Sequence, residues 1–259
     1  MDLGIAGRWA TVCASSQGLG RACAEALAAE GVHVVINGRD EERLEKTAAE
    51  IRSRHDVTVR TVAADITTAQ GREQLLAARP DPDILVTNLA GPKPGPFLSL
   101  QEEDLARGLE MHFLTPLALV RSVVDGMRER RFGRIVNITS AMVTTPHSFM
   151  AASSGARTGM TSVMKGLSRI TVADNVTINQ LLPERIDTGR QQQMAQIEME
   201  RDGISYEEAR RRQAESIAAG RLGRPEELGA ACAFLCGAQS GYISGVNLHL
   251  DGGSYVGLV

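Results

Sequence analysis

Aromatic side chains and lysine are both scarce in this sequence of 259 residues. Five Phe, three Tyr and one Trp make up 3% of the chain, and only Lys46, Lys93 and Lys165 are lysines among 28 basic residues. The formal net charge is -3, because 31 acidic residues outnumber the basic ones. That balance excludes the broad basic surface of a dedicated nucleic-acid-binding protein.

Long hydrophobic runs and cysteine motifs are also missing. No apolar run approaches the roughly 18–20 residues that a membrane span needs. The first residues carry Asp2 and no basic region before an apolar core, so they do not form a signal peptide. We therefore expect a cytoplasmic protein without a membrane partner. The four cysteines form no C-x-x-C pair and predict buried packing thiols without a metal site: Cys13, Cys23, Cys232 and Cys236.

Short apolar runs alternate with helical patterns along the whole chain. Several runs are apolar on both faces, which is typical of parallel strands covered by helices on each side. The sequence therefore predicts an α/β fold, with a doubly wound parallel seven-stranded sheet and helices on both faces, in one domain of residues 1–259. The predicted strands are Trp9–Cys13, Val32–Asn37, Val57–Val62, Ile84–Asn88, Arg134–Thr139, Val176–Leu182 and Val246–Leu250, with helices over 41–54 and 225–237.

Two segments interrupt this alternation. Residues 91–96, GPKPGP, predict a loop, because proline and glycine occupy nearly every position. Residues 186–223 form a long polar insertion, in which Ser205 and Glu208 have the spacing of a capping box that starts a helix. The insertion is either a flap over a binding site or a solvated surface excursion.

A glycine-containing turn, CASSQGLG (residues 13–20), follows the first strand and precedes an alanine-rich helix. Gly18 and Gly20 allow close approach of the backbone to a pyrophosphate and tight packing of helix on strand. The N-terminus of the following helix offers unpaired N–H groups and the positive end of its dipole. This context predicts a dinucleotide site.

Arg39 stands at the end of the second predicted strand, nineteen residues after Gly20. An acidic residue there would bind a ribose 2′-hydroxyl, whereas arginine suits a 2′-phosphate. We therefore expect NADP(H) rather than NAD(H). Asp40 argues the other way unless it caps the helix that follows.

The motifs together resemble the short-chain dehydrogenase/reductase family from about residue 5 to residue 253. Asp65, the Asn88-Leu89-Ala90-Gly91 turn, Ser140 and the segment 221–253 match the family pattern. The resemblance implies a Rossmann fold and a homo-oligomer, a tetramer or a dimer, that uses the helix of residues 153–169 and the C-terminal segment. It assigns the cofactor contacts to Ala14, Ser15, Ser16, Gln17, Gly18, Leu19, Gly20, Arg39, Asp65, Ile66, Asn88, Ala90, Gly91, Arg157, Pro183, Ile186 and Thr188.

The family's catalytic tyrosine and lysine are absent. Counting from Ser140 gives Ser153 and Arg157, which share a helix face at i and i+4, and His112 stands where the family carries asparagine. Serine is a poorer acid than tyrosine, and arginine does not release a proton near neutral pH. We take Ser140, Ser153, Arg157 and His112 as the candidate catalytic residues.

Other proton donors stay open: His147 in the predicted substrate segment, Lys93 in the proline-rich loop, and Tyr206 in the insertion. The first function hypothesis is an NADP(H)-dependent oxidoreductase, similar to 3-oxoacyl reductases, that acts on a carbonyl or alcohol of a small-molecule substrate with altered proton transfer. The second is a nucleotide-binding sensor or structural subunit without turnover. The third is an enzyme of another reaction, such as dehydration or isomerisation, on the same nucleotide site.

Overall fold

The computed structural model describes residues 2–92 and 94–258, in which strands and helices alternate. All seven predicted strands are confirmed, with ends shifted by at most two residues. The strands are β1 (Trp9–Val12), β2 (His33–Gly38), β3 (Val59–Ala63), β4 (Ile84–Thr87), β5 (Gly133–Ile138), β6 (Val176–Pro183) and β7 (Asn247–Leu250). The helices are α1 (Gly18–Ala29), α2 (Glu41–Arg54), α3 (Ala69–Ala78), α4 (Glu102–Leu109), α5 (Thr115–Glu129), α6 (Ala151–Thr171), α7 (Gly189–Asp202), α8 (Tyr206–Glu215) and α9 (Pro225–Cys236).

The strands form one parallel sheet in the order β3-β2-β1-β4-β5-β6-β7, as the doubly wound prediction requires. Apolar side chains fill both faces, with α1 and α9 packing on one cluster and α5 and α6 on the other. The strand order reverses between β1 and β4. In such sheets ligands bind in the crevice at the carboxyl ends of the strands beside this reversal.

The cysteines are packing residues, as predicted. All four are buried and free, and burial raises the pKa of the Cys13 thiol to about 12. Among the described helices, none combines the length and the apolar character needed to cross a bilayer.

The two irregular segments behave differently from each other. The described residues of 91–96 form neither helix nor strand, as predicted. Residues 186–223 contain α7, which the sequence did not predict, and α8, whose predicted start is confirmed because Ser205 Oγ accepts a hydrogen bond from the Glu208 N–H at 3.1 Å. The sequence did not predict α7 because this helix has no apolar pattern. Its residues are rich in glutamine, and Ala195 is its single buried residue.

Candidate active site

The backbone of the turn between β1 and α1 is constrained at Ala14, Gly18 and Gly20. Ala14 and Gly18 have φ values of +45° and +59°, so Ala14 adopts a left-handed conformation that favours glycine. A Cβ on Gly20 would lie 2.4 Å from the Ala14 carbonyl oxygen, which leaves room only for glycine there. The Ala14 N–H donates to Asn37 Oδ1 at 3.3 Å, and its carbonyl accepts from Asn88 Nδ2 at 3.2 Å. These contacts fix the loop at the crevice.

The N-terminus of α1 has no carboxylate of its own to neutralise it. Its first turn contains no acidic residue, and the Gln17 side chain does not cap the helix but accepts from Arg43 Nη1 at 3.1 Å. Thr188, which precedes α7, lies beside Gly18. Unpaired N–H groups and the positive dipole end therefore face the crevice, where they suit a phosphate.

The other predicted residues of the turn have mixed surroundings. Ser15 is buried, donates to the Val12 carbonyl at 2.7 Å and accepts from the Asn37 N–H at 2.9 Å, so it ties β1 to β2. Ser16 is half-buried beside Gly38, at the end of β2. Leu19 packs against the apolar core.

A basic side chain directly follows β2, at the position where the sequence predicts the 2′-phosphate of the cofactor. Arg39 is exposed and makes no hydrogen bond or ion pair with any described residue. Asp40 caps α2 by accepting from the Arg43 N–H at 3.0 Å, which confirms the capping interpretation of that residue. Asp65 is also exposed, and its hydrogen bonds from Thr67 hold the pKa of its carboxyl below the usual value. The exposed Arg39 guanidinium therefore suits the 2′-phosphate that distinguishes NADP(H) from NAD(H).

Arg157 is buried at the centre of the candidate catalytic group. Its Nε donates to Ser153 Oγ at 3.1 Å, as the i,i+4 spacing predicted. Its Nη1 donates to the carbonyls of Ile138 and Thr139 at 2.9 and 2.6 Å, and its Nη2 lies 3.4 Å from His112 Nε2. Burial, followed by the charge of a second arginine, lowers the pKa of Arg157 to about 10. The guanidinium therefore stays charged at neutral pH.

His112 lies in a π-helical turn, Glu110–Leu114, that joins α4 to α5. Such turns often occur at functional sites, because they re-aim a side chain. Burial, followed by the charges of Arg157 and Arg190, lowers the pKa of His112 to about 2. The ring is consequently neutral at pH 7 and accepts at Nε2 from Arg157, rather than acting as an acid.

Ser140 follows β5 and caps a short turn, where its Oγ accepts from the Met142 N–H at 3.2 Å. In the described part of the chain no hydrogen bond links Ser140 to Ser153 or Arg157. The side chains of Ser140 and Ser153 are both half-buried.

Two small cavities flank the Ser153–Arg157 pair, each of about 10 Å³, close to the space of one water molecule. The first, which we call the cleft, lies between the proline-rich loop and the start of α6, and Pro92, Pro94, Phe149 and Ser153 are among the residues that line it. The second lies deeper, and Asn88, His112 and Arg157 contribute its polar lining.

The remaining predicted residues lie around these cavities. Ala90 is exposed and Gly91 is half-buried in the turn after β4, while Pro183 ends β6. Ile66 and Ile186 are buried, and Ile186 pairs with Gly223.

Neither His147 nor Tyr206 forms a hydrogen bond with Ser153 in the described ranges. His147 is exposed and caps a short turn, where its Nδ1 accepts from the Phe149 N–H at 3.2 Å. Tyr206 is the first residue of α8. Lys93 lies outside the described residues.

Arg190 lies beside the cleft but was missed as a site residue in the sequence, and Glu184, which pairs with Arg185, was not predicted to have a shifted pKa either. Arg190, in the first turn of α7, donates from Nη2 to the Pro92 carbonyl at 3.3 Å. Glu184 follows β6, and burial raises the pKa of its carboxyl. The signal for Arg190 was weak, because it is two residues from Thr188 in a chain rich in arginine.

Comparison with known proteins gives concordant similarities. A family model described as enoyl-(acyl carrier protein) reductase matches residues 13–255. The uncharacterized oxidoreductase YvaG of Bacillus subtilis is 32% identical and the 3-oxoacyl-[acyl-carrier-protein] reductase of Aquifex aeolicus 28% identical, with 98% of this chain covered in each case and 98% and 100% of the relatives. The crystal structure of L-sorbose reductase from Gluconobacter frateurii, complexed with NADPH and L-sorbose, has a TM-score of 0.93 at 28% identity, with both chains fully covered.

Proposed function

Because the chain belongs to the short-chain dehydrogenase/reductase family, we propose that it is an NADP(H)-dependent oxidoreductase that interconverts a carbonyl and an alcohol with altered proton transfer. The observation that carries the proposal is the combination of an α1 N-terminus without a carboxylate and an unpaired Arg39 at the end of β2. Relatives that act on 3-oxoacyl groups and on L-sorbose support a small carbonyl substrate.

The residues of the crevice fit the cofactor. The N–H groups of the first turn of α1 would hold its pyrophosphate, Arg39 its 2′-phosphate, and Asp65 its adenine end. The insertion of residues 186–223 acts as a flap, since Thr188 lies beside Gly18 and Arg190 is bonded to Pro92. When bound, NADPH supplies the hydride.

Ser153 is the proposed proton donor. Because Arg157 Nε donates to Ser153 Oγ, the hydroxyl keeps its own hydrogen for an oxygen atom in the cleft. The adjacent guanidinium stabilises the negative charge that develops on Oγ as the proton leaves. Ser140 would donate to the same substrate oxygen, and His112 positions Arg157 through its Nε2. Serine is a weak acid, so we expect slower turnover than a tyrosine would support.

The cofactor assignment is tested by titrating NADPH and NADH into the wild-type protein and into Arg39→Gln. We expect the wild type to bind NADPH more tightly than NADH. Arg39→Gln should raise the NADPH Kd about tenfold, because it removes a charge-assisted contact, and leave the NADH Kd unchanged. Arg54→Gln, on the exposed side of α2, is the matched control. Equal affinity of the wild type for the two cofactors would overturn the assignment.

The proton-transfer assignment is tested by NADPH oxidation against a panel of carbonyl compounds. We expect Ser153→Ala to lower kcat about 10²-fold, within the usual range for a general acid, at an unchanged NADPH Kd. An unchanged kcat would transfer the role to another donor, and His147→Asn would then be the next variant.

A second function is favoured by the hydrogen bonds of Arg157. Two backbone carbonyls and Ser153 occupy most of its donors, which suits a structural role in a nucleotide-binding protein without turnover. Tight NADPH binding with no oxidation across the whole panel would favour this function over the enzyme.

We propose the cytoplasm as the compartment and a homo-oligomer as the working form. Four buried free thiols suit a reducing compartment. Exposed apolar side chains on α6 and α9, including Ile170 and Phe234, suit contacts between copies.

A further inference from the structure

Two arginine side chains lie beside the cleft without a carboxylate partner. Arg157 is 9% exposed and Arg190 is half-buried, and neither forms an ion pair with any residue in the described ranges. The acidic residue nearest to Arg190 in the sequence, Asp187, is bound instead to Arg210 Nη2 at 2.7 Å. The half-buried Glu184 is paired with Arg185, at 3.7 Å.

The bonding partners of Arg190 are neutral. Its Nη1 donates to Gln193 Oε1 at 2.9 Å and its Nη2 to the Pro92 carbonyl at 3.3 Å. Since a guanidinium has five N–H donors, three on Arg190 and one on Arg157 have no partner among the described residues. Pro92 also lines the cleft beside Ser153, so Arg190 is fixed to the wall of the proposed reaction site.

Unpaired cations in such surroundings are unfavourable. Burial lowers the pKa of Arg190, and burial with the charge of Arg190 lowers the pKa of Arg157. Buried charges in proteins are normally paired with an opposite charge or with a ligand. The residues that line both cavities include no aspartate or glutamate among the described ones.

We propose that Arg190, with Arg157 behind it, binds an anionic group of the substrate, a carboxylate or a phosphate, at the mouth of the cleft. The proposal rests on the proposed function and narrows its substrate to carbonyl compounds that carry an acid group. The cofactor phosphates have donors of their own at the α1 N-terminus and at Arg39, whereas Arg190 is bonded to the loop that lines the cleft with Ser153. Arg190 also lies beside Gly91, a predicted cofactor contact, but its bond to the Pro92 carbonyl assigns it to the cleft, and we therefore assign the anion to the substrate.

The binding arm uses malonate and inorganic phosphate as probes in calorimetric titrations of the full chain, alone and saturated with NADPH. We expect at least one probe to bind, and Arg190→Gln to weaken its binding tenfold or more, by a larger factor than it weakens NADPH binding. Arg201→Gln, at the exposed end of α7, makes the same charge change and should have no effect. Binding of neither probe, or equal binding by wild type and Arg190→Gln, overturns the proposal. Loss of probe binding when NADPH is present also overturns it, because the arginines would then serve the cofactor phosphates.

The kinetic arm compares 3-oxo acids with their methyl esters as substrates. We expect wild type to prefer the acid, and Arg190→Gln to lower kcat/KM for the acid at least tenfold more than for the ester, mainly through KM. Equal kcat/KM values of the wild type for the acid and the ester would overturn the anion site. The proposed reductase function would not be affected by that result. If NADPH binds but neither compound is reduced, the proposed function fails, and the malonate titration still decides the anion site.

Discussion

Folding strongly disturbs the ionisation of His112. Its pKa falls from 6.5 to about 2, because the ring is buried beside two guanidinium groups. Below pH 6.5 the unfolded chain binds a proton that the folded chain does not bind. The contribution of neutral His112 to stability is therefore fully present above pH 6.5 and is lost as the pH falls from 6.5 towards 2.

We predict that His112→Asn makes the free energy of unfolding less dependent on pH in the acidic range. Between pH 7.5 and pH 5, the wild type should lose about 2 kcal/mol more unfolding free energy than the variant, since 1.36 kcal/mol accompanies each pH unit below 6.5. Urea unfolding at the two pH values measures this difference. His147→Asn, at an exposed position, is the control. An equal acid dependence of wild type and His112→Asn would contradict a buried neutral ring.

The residues of the site differ in how well the sequence alone predicts their positions. Ser153 and Arg157 were predicted as neighbours because i,i+4 spacing on a helix is a local geometric property. Arg190 could not be found in this way, since its position depends on how α7 packs against the loop after β4. Ala14 shows a third case, because its left-handed backbone follows from the tight turn and not from its own preference.

Among the elements, α7 and α8 pack together through small buried side chains. Ala195 and Ala209 are fully buried, and buried Gln213 donates from Nε2 to the Gln191 carbonyl at 3.1 Å. A larger side chain at position 209 would push α7 away from α8, at a cost of roughly 1–3 kcal/mol. Because Thr188 and Arg190 stand at the start of α7, the displacement would move the flap.

We predict that Ala209→Leu opens the flap while the sheet stays folded. Limited proteolysis near Gly203, which ends α7 in a left-handed conformation, should become at least several times faster, and the NADPH Kd should rise. Glu207→Leu, at an exposed position of α8, is the matched control. Unchanged proteolysis and an unchanged Kd in Ala209→Leu would show that α7 moves independently of α8.

Elements with strong apolar patterns were predicted more completely than those without. The five inner strands were recognisable because they are buried along nearly their whole length, whereas the edge strands β3 and β7 are only partly buried. The π-helical turn around His112 was not recognisable, since one extra residue in a helix leaves no local pattern. The sheet therefore follows from the sequence, while the flap and the aim of His112 depend on tertiary packing.

At the scale of the whole molecule, apolar side chains are exposed on two separate sides of the fold. On α6, Val163 and Ile170 are 44% and 61% exposed, and their seven-residue spacing places them on one face. On the opposite side, Phe234 of α9 is 44% exposed, and Tyr242, in the short helical turn that follows α9, is fully exposed. Two separate apolar surfaces on each copy would allow two kinds of symmetric contact, and the two kinds together would build a tetramer.

We predict a tetramer at micromolar concentration, with a mass four times 27.8 kDa in light scattering after size exclusion. The double variant Val163→Glu, Ile170→Glu should form dimers, because it places charges in an interface that excludes water. Phe234→Glu should form dimers through the other surface, and the three changes together should give monomers. Leu98→Glu, at an exposed loop position, should leave the tetramer intact. A monomeric wild type would contradict both surfaces, whereas a dimeric wild type dissociated by one variant alone would retain the surface that this variant alters.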